Sequence, residues 1–216
     1  MKRNFLLLTL LASPAFSQSA NLGLFTSSGD IGSPAKKGAT AFNASTGQYK
    51  ITGSGANIWA RQDQFQYVWK EMTGNFTMTA TVEFLGKGEE HRKAGIMLRQ
   101  TQDTDSVYGD FLVHGSGMPA IQWRSNKGED TNSFDFPFDS PGKFKLKLVR
   151  NGVGLVVSIA KNGGEMKDIG RTEVRFASPF MLGLVVCAHN ADALETVIFS
   201  DVTIEPLAPP AGAKKQ

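Results

Sequence analysis

From Thr40 onward, apolar and polar residues alternate at period two along most of the chain, with frequent Gly and Asn breaks. No long stretch repeats at the helical period, so the pattern predicts strands throughout. The clearest is Phe76-Thr77-Met78-Thr79-Ala80-Thr81-Val82-Glu83-Phe84, in which five apolar side chains share one face and three threonines and a glutamate the other. Such a strand is dry on one side and wet on the other. Lys143-Phe144-Lys145-Leu146-Lys147-Leu148 repeats the pattern with lysines outward, which also guards against stray pairing near a sheet edge. Further strands are predicted at 48–53, 58–61, 64–70, 94–101, 107–114, 120–125, 153–160, 180–189 and 196–204. Asn151-Gly152 and Lys161-Asn162-Gly163-Gly164 supply tight turns. A dozen short strands spaced this way predict two antiparallel sheets packed face to face. No unit of 20–50 residues repeats, which disfavours propellers and solenoids.

One strand poses a choice of face. Phe65, Tyr67 and Trp69 point one way, and Gln64, Gln66 and Lys70 fill alternate positions. Burying two amides and an ammonium without partners costs several kcal/mol, whereas each buried ring contributes roughly 2 kcal/mol. The row is therefore expected to face the opposite sheet rather than to form an exposed sugar platform. Tyr67 then needs a partner for its hydroxyl.

The ends read differently. Met1-Lys2-Arg3-Asn4, the apolar FLLLTLLA and Ser13-Pro14-Ala15-Phe16-Ser17 have the order of a secretory signal peptide, expected over residues 1–17. The apolar run is about half the roughly 20 residues that a spanning helix needs. The product is thus expected in the periplasm or outside the cell, with no membrane span after cleavage. One domain is expected over 18–205, its Gly/Ser-rich lead-in at 21–33 capping the sandwich. A Pro-rich tail over 206–216 is expected to be extended or disordered.

Removing 1–17 leaves 21 basic residues against 20 acidic, so the formal charge falls from +3 to +1. The basic side chains are scattered among acids, as in Glu89-Glu90-His91-Arg92-Lys93, which argues against nucleic acid as a partner. Cys187 is the single cysteine, so no internal disulfide forms. Its neighbours Leu184-Val185-Val186 and Ala188 mark a buried, inert thiol. His189 lies two positions away, but no acid stands beside it to complete a nucleophilic site.

Five short words in order, covering nearly all of the chain after residue 17, carry a resemblance. They are Asp30-Ile31-Gly32, Gly53-Ser54-Gly55-Ala56-Asn57-Ile58-Trp59, Asp63-Gln64-Phe65-Gln66-Tyr67-Val68-Trp69, Lys93-Ala94-Gly95-Ile96-Met97-Leu98-Arg99 and Phe199-Ser200-Asp201-Val202-Thr203-Ile204. The chain resembles a bacterial family of concanavalin A-like domains of unknown function, similar to the laminin-G and legume-lectin sandwich, some labelled "regulation of enolase". The resemblance implies an all-β jelly-roll sandwich of two antiparallel sheets, secreted alone or joined to enzymes and lectin-like modules. Relatives often carry a tryptophan in the hairpin that here runs from Asn162 to Gly170. This chain has none there.

Alternation also predicts which polar side chains share a face. With Ala94, Ile96 and Leu98 inward, Arg99 turns outward; with Phe111 and Val113 inward, so do Asp110 and His114. With Ile121 and Trp123 inward, Gln122 and Arg124 follow. Arg99, Asp110, His114, Gln122 and Arg124 are thus candidates to line the concave face and bind a carbohydrate, acidic sugars included, since forked guanidinium donors and a carboxylate suit hydroxyl and carboxylate groups. The bland alternative is a solvated face of ordinary ion pairs.

A glycan hydrolase would need two carboxylates roughly 5–10 Å apart, and laminarinase-like relatives place theirs in a Glu-x-Asp-x-x-Glu pattern that is missing here. No catalytic residue is expected, and catalysis ranks below binding. Asp103-Thr104-Asp105 offers alternating oxygens, but too few for a calcium loop. His91, His114 and His189 are too far apart in sequence for a zinc motif, so neither metal nor cofactor is expected. A non-catalytic cell-envelope module that binds another protein is the remaining alternative.

Overall fold

The computed structural model describes residues 21–137 and 140–207. The expected signal peptide and most of the expected tail lie outside them. Every regular element described is a strand, and among the described residues no helix is long and apolar enough to cross a membrane.

The strands form two seven-stranded antiparallel sheets and one small hairpin. The front sheet contains β1 (Ser27–Ile31), β6 (Phe65–Met72), β8 (Lys93–Arg99), β9 (Tyr108–His114), β10 (Pro119–Arg124), β11 (Asn132–Asp135) and β15 (Phe180–Cys187), in the order β1-β6-β15-β8-β9-β10-β11. The back sheet contains β2 (Ala39–Asn43), β3 (Gln48–Gly53), β7 (Phe76–Phe84), β12 (Phe144–Asn151), β13 (Gly154–Lys161), β14 (Lys167–Glu173) and β16 (Glu195–Pro206), in the order β14-β13-β12-β7-β16-β3-β2. The hairpin pairs β4 (Ile58–Trp59) with β5 (Gln62–Asp63).

Between the sheets lies the main core. Ala94, Ile96 and Leu98 of β8, Phe111 and Val113 of β9 and Ile121 of β10 meet Met78, Ala80 and Val82 of β7 and Leu146 and Leu148 of β12. On these strands the predicted inward residues are the observed ones. Asn151 pairs with Gly154 across a tight turn in which Gly152 has φ +63°, as the Asn-Gly signal requires. Three expectations change. Residues 27–31 are an edge strand on β6 rather than a cap. β12 lies inside the back sheet between β13 and β7, so its lysines face water and guard no edge. β16 continues through Pro206, opposite Phe76, one residue into the expected tail.

The aromatic row departs from expectation in a more informative way. Val68 and not its neighbours faces the back sheet, and Gln66 finds partners at that side in Ser28 Oγ at 2.9 Å and Thr40 Oγ1 at 3.2 Å. Phe65, Tyr67 and Trp69 occupy the outer face of the front sheet, in a second core with Ile31, Ile58, Met97, Tyr108, Leu112, Met181, Val185 and Cys187. The rings are buried in this cluster, Trp69 only 8% exposed, and Ile58 of the β4–β5 hairpin joins it. Tyr67 stacks on Trp69 with centroids 5.1 Å apart and donates its hydroxyl to the Met97 carbonyl at 3.0 Å. The energetic argument for burial holds; the rings pack in an outer core and not against the other sheet.

Candidate functional site

The five candidate residues lie on one face, as the alternation predicts, because β8, β9 and β10 are neighbours. All five are buried, and only two reach a cavity. Burial under the β4–β5 hairpin splits them into a structural group and a cavity group.

Arg99 and Arg124 belong to the structure. Both guanidinium groups close on the Asp63 carboxylate of β5, with all three side chains fully buried. Arg124 is bidentate, Nη1 and Nη2 each 2.8 Å from a different Asp63 oxygen, and Arg99 Nη1 shares Oδ2 at 2.8 Å. One carboxylate under two guanidiniums leaves an excess positive charge, which carbonyl oxygens offset. Arg124 donates to Ala60 O, Ser106 O and Glu129 O, and Arg99 to Asp103 O. The fork geometry matches a carboxylate held in place, so these donors clamp the hairpin and are closed to a ligand. The expectation that they bind sugar is corrected on that ground.

Asp110 is also internal. Its Oδ1 accepts the Gln122 backbone N–H at 3.2 Å, while Oδ2 is buried with no partner among the described residues. Burial raises its pKa well above the usual carboxylate range, against the pull of nearby Lys93. Lys93 opens β8, almost wholly buried, and gives its ammonium protons to Asn57 Oδ1 at 2.9 Å, Ile58 O at 2.9 Å and Gln122 Oε1 at 3.2 Å. Burial lowers its pKa, with Asp110 opposing.

Above this pair lies a cavity of about 230 Å³ lined by Asn57, Trp59, Lys93, Gln122, Asp135 and the three histidines, with Met118 beside them. Lys93 fixes the chemistry of two neighbours. Because Asn57 Oδ1 and Gln122 Oε1 both accept from it, each amide keeps its NH2 as the group left to donate. Trp59 supplies an apolar wall, 41% exposed, its ring centroid 5.4 Å from Lys93 Nζ. Asp135 is exposed at the rim and is the one carboxylate among the described lining residues.

His91, His114 and His189 meet here, although their sequence spacing gives no hint of it. His91 Nδ1 stands 3.3 Å from His114 Nδ1, and the His91 ring centroid is 5.5 Å from those of both His114 and His189. Burial pushes the His114 pKa down to about 3, helped by Lys93 and the other two histidines; burial likewise lowers that of His189. Arg92 holds the loop that carries His91. It donates to the carbonyls of Gly86, Gly88 and Glu89, pairs with Glu195 at 2.9 Å and covers the Phe84 ring at 4.9 Å.

Sequence reasoning therefore finds His114 and Gln122 but misses Asn57, Trp59, Lys93, His91, His189 and Asp135. Asn57-Ile58-Trp59 lies in a loop and a two-residue strand whose path no periodicity reveals, and Lys93 is a charge that alternation assigns only to a face. The Asp103-Thr104-Asp105 loop is occupied by Lys127, whose Nζ lies 2.5 Å from Asp103 and 3.7 Å from Asp105. Cys187 is buried with its thiol pKa pushed up to about 11.

The chain matches no family model and no curated protein. It is similar in fold to several solved structures. A functionally unknown protein from Saccharomyces cerevisiae superposes with a TM-score of 0.63 at 14% identity, covering 84% of this chain and 97% of that one. A carbohydrate-binding module, CBM66 from Bacillus subtilis, gives 0.56 at 15% identity over 84% and 97%. Lectin II from Ulex europaeus gives 0.52 at 10% identity over 85% and 100%. At these identities the likeness concerns fold alone: the chain is an all-β jelly-roll sandwich of the concanavalin A-like kind.

Proposed function

We propose that the chain is a secreted or periplasmic lectin-like module, freed of residues 1–17, that holds a carbohydrate ring in the cavity beside Trp59. The observation that carries this reading is an exposed indole next to two oriented amide donors and one carboxylate, in a cavity of about 230 Å³. An aromatic face packs on the C–H side of a sugar, while amides and a carboxylate meet its hydroxyls. The cavity is smaller than the roughly 300–1,000 Å³ that drug-sized ligands fill, which suits about one ring. Neighbours in fold that are a carbohydrate-binding module and a lectin support the same reading. The "regulation of enolase" label adds no chemistry to it.

A hydrolase on this site would need a second carboxylate beside Asp135. Asp110 is fully buried beneath the cavity and is not among its lining residues, so binding accounts for more of the site than catalysis does.

The test is glycan-array binding followed by titration calorimetry on the best hit, with Trp59→Ala and Gln122→Ala alongside. Trp59→Ala is expected to weaken binding at least about tenfold, in line with the loss of one aromatic anchor. Because Trp59 is exposed, the thermal midpoint should hardly move. Binding to no glycan, or an affinity unchanged by Trp59→Ala, rejects the reading.

A further inference from the structure

The histidine cluster asks for more than a sugar does. His91 Nδ1 and His114 Nδ1 face each other at 3.3 Å, and among the described residues no other group hydrogen-bonds either ring. Two nitrogens bound to one tetrahedral ion at about 2.0–2.1 Å stand roughly 3.3–3.4 Å apart, so the observed spacing is also the bite of a metal-binding pair.

The rings are held in place from behind. Arg92 pins the 86–91 loop through three carbonyls, and Asn190 Nδ2 donates to Glu89 Oε1 at 3.0 Å, tying the loop of His189 to that of His91. Asn190 N also bonds the Gly55 carbonyl at 3.1 Å. Three separate segments are thus locked together around the imidazoles. No three His, Cys, Asp or Glu side chains among the described residues already converge on one ion-sized point. His91 and His114 stand at the spacing of such a pair, and the His189 ring lies 5.5 Å from that of His91, so a third nitrogen requires the part-exposed His189 side chain to turn toward them.

We propose that His91, His114 and His189 bind one divalent ion of the zinc or copper class at the mouth of the cavity. Imidazole donors select such ions over hard ones such as calcium, which prefer oxygen. Water fills the remaining position, facing the cavity. The histidines line the same cavity as the proposed sugar ring, but metal binding does not require a sugar, and its test contains none.

The whole protein is dialysed at neutral pH against ZnCl2, with CaCl2 in parallel, and the retained metal is measured. One zinc per chain is expected with micromolar affinity, and no calcium. His91→Ala and His189→Ala, an exposed and a part-exposed position, should each weaken zinc binding at least about tenfold without unfolding the chain. No zinc retained by the wild type, an unchanged affinity in either variant, or calcium held as well as zinc would overturn the proposal.

Discussion

β12 in the back sheet and β15 in the front sheet are both eight residues long, yet they are built to opposite rules. Phe144-Lys145-Leu146-Lys147 alternates buried and exposed positions, while Phe180-Met181-Leu182-Gly183-Leu184-Val185-Val186-Cys187 is buried at every one. The back sheet has one dry face. The front sheet has two, because the β4–β5 hairpin and its flanking loops cover its outer side. Covering a sheet face forces each polar group on it to find a protein partner or to lie where the cover ends. Arg99 and Arg124 take the first course with Asp63; His114 and Gln122 take the second, at the cavity. The site therefore belongs to the margin of a buried face, and a polar residue there shows a ligand role only when it reaches the opening.

The largest effect should come from breaking the clamp that holds the cover. Asp63→Ala leaves two guanidiniums buried without their carboxylate, and removing one partner of a buried ion pair costs about 3–5 kcal/mol. Urea denaturation should show that loss, with a transition that shifts to lower denaturant. A loss under about 1 kcal/mol would mean that the hairpin is held by apolar contact alone, and that the two sheets differ less than their burial suggests.

Much of this contrast is legible in the sequence once the two patterns are read side by side. Lys143-Phe144-Lys145-Leu146 alternates, and Met181-Leu182-Gly183-Leu184-Val185-Val186 does not. A continuous apolar strand is buried on both faces, so the second run already signals a covered sheet. Alternation assigned the inward and outward positions of β8, β9 and β10, and their adjacency puts Arg99, Asp110, His114, Gln122 and Arg124 on a shared face. It could not say whether that face is wet. That depends on residues 53–64 crossing back over the sheet, a tertiary event with no period of its own, and the same event brings Asn57 and Trp59 to Lys93. His91 and His189 reach His114, at the end of β9, through loops 85–92 and 188–193, whose closeness follows from strand order and not from spacing.

A second way to sharpen the contrast uses pH. The Cys187 thiol is raised to about 11 from an unfolded value of 9.0, chiefly by burial in the outer core of the front sheet. Its folded pKa is the higher, so the contribution is intact below pH 9 and is lost as pH rises toward 11. The loss amounts to about 2–3 kcal/mol. Stability measured at pH 8 and pH 11 should fall further for wild type than for Cys187→Ala, and equal falls would show that the outer face admits solvent. Tyr67→Phe probes the same layer by about 1 kcal/mol, since it removes the buried hydroxyl's hydrogen bond to the Met97 carbonyl. No change in urea midpoint would mean that water reaches that carbonyl.

The smallest effect belongs to the back sheet and serves as the reference for the others. Lys147 sits on the outer side of β12, its side chain about one-third exposed, with Nζ 4.0 Å from Asp168 Oδ1. An exposed pair at that distance contributes roughly 0–1 kcal/mol, and threonine suits a strand position as well as lysine does. Lys147→Thr should therefore leave the urea midpoint within about 0.5 kcal/mol of wild type. The position corresponds on the back sheet to what Arg99 is on the front: a cation on the face turned away from the main core. If Lys147→Thr cost as much as Asp63→Ala, the back sheet too would have a structural outer face, and burial under the hairpin would no longer explain why Arg99 and Arg124 are closed to a ligand.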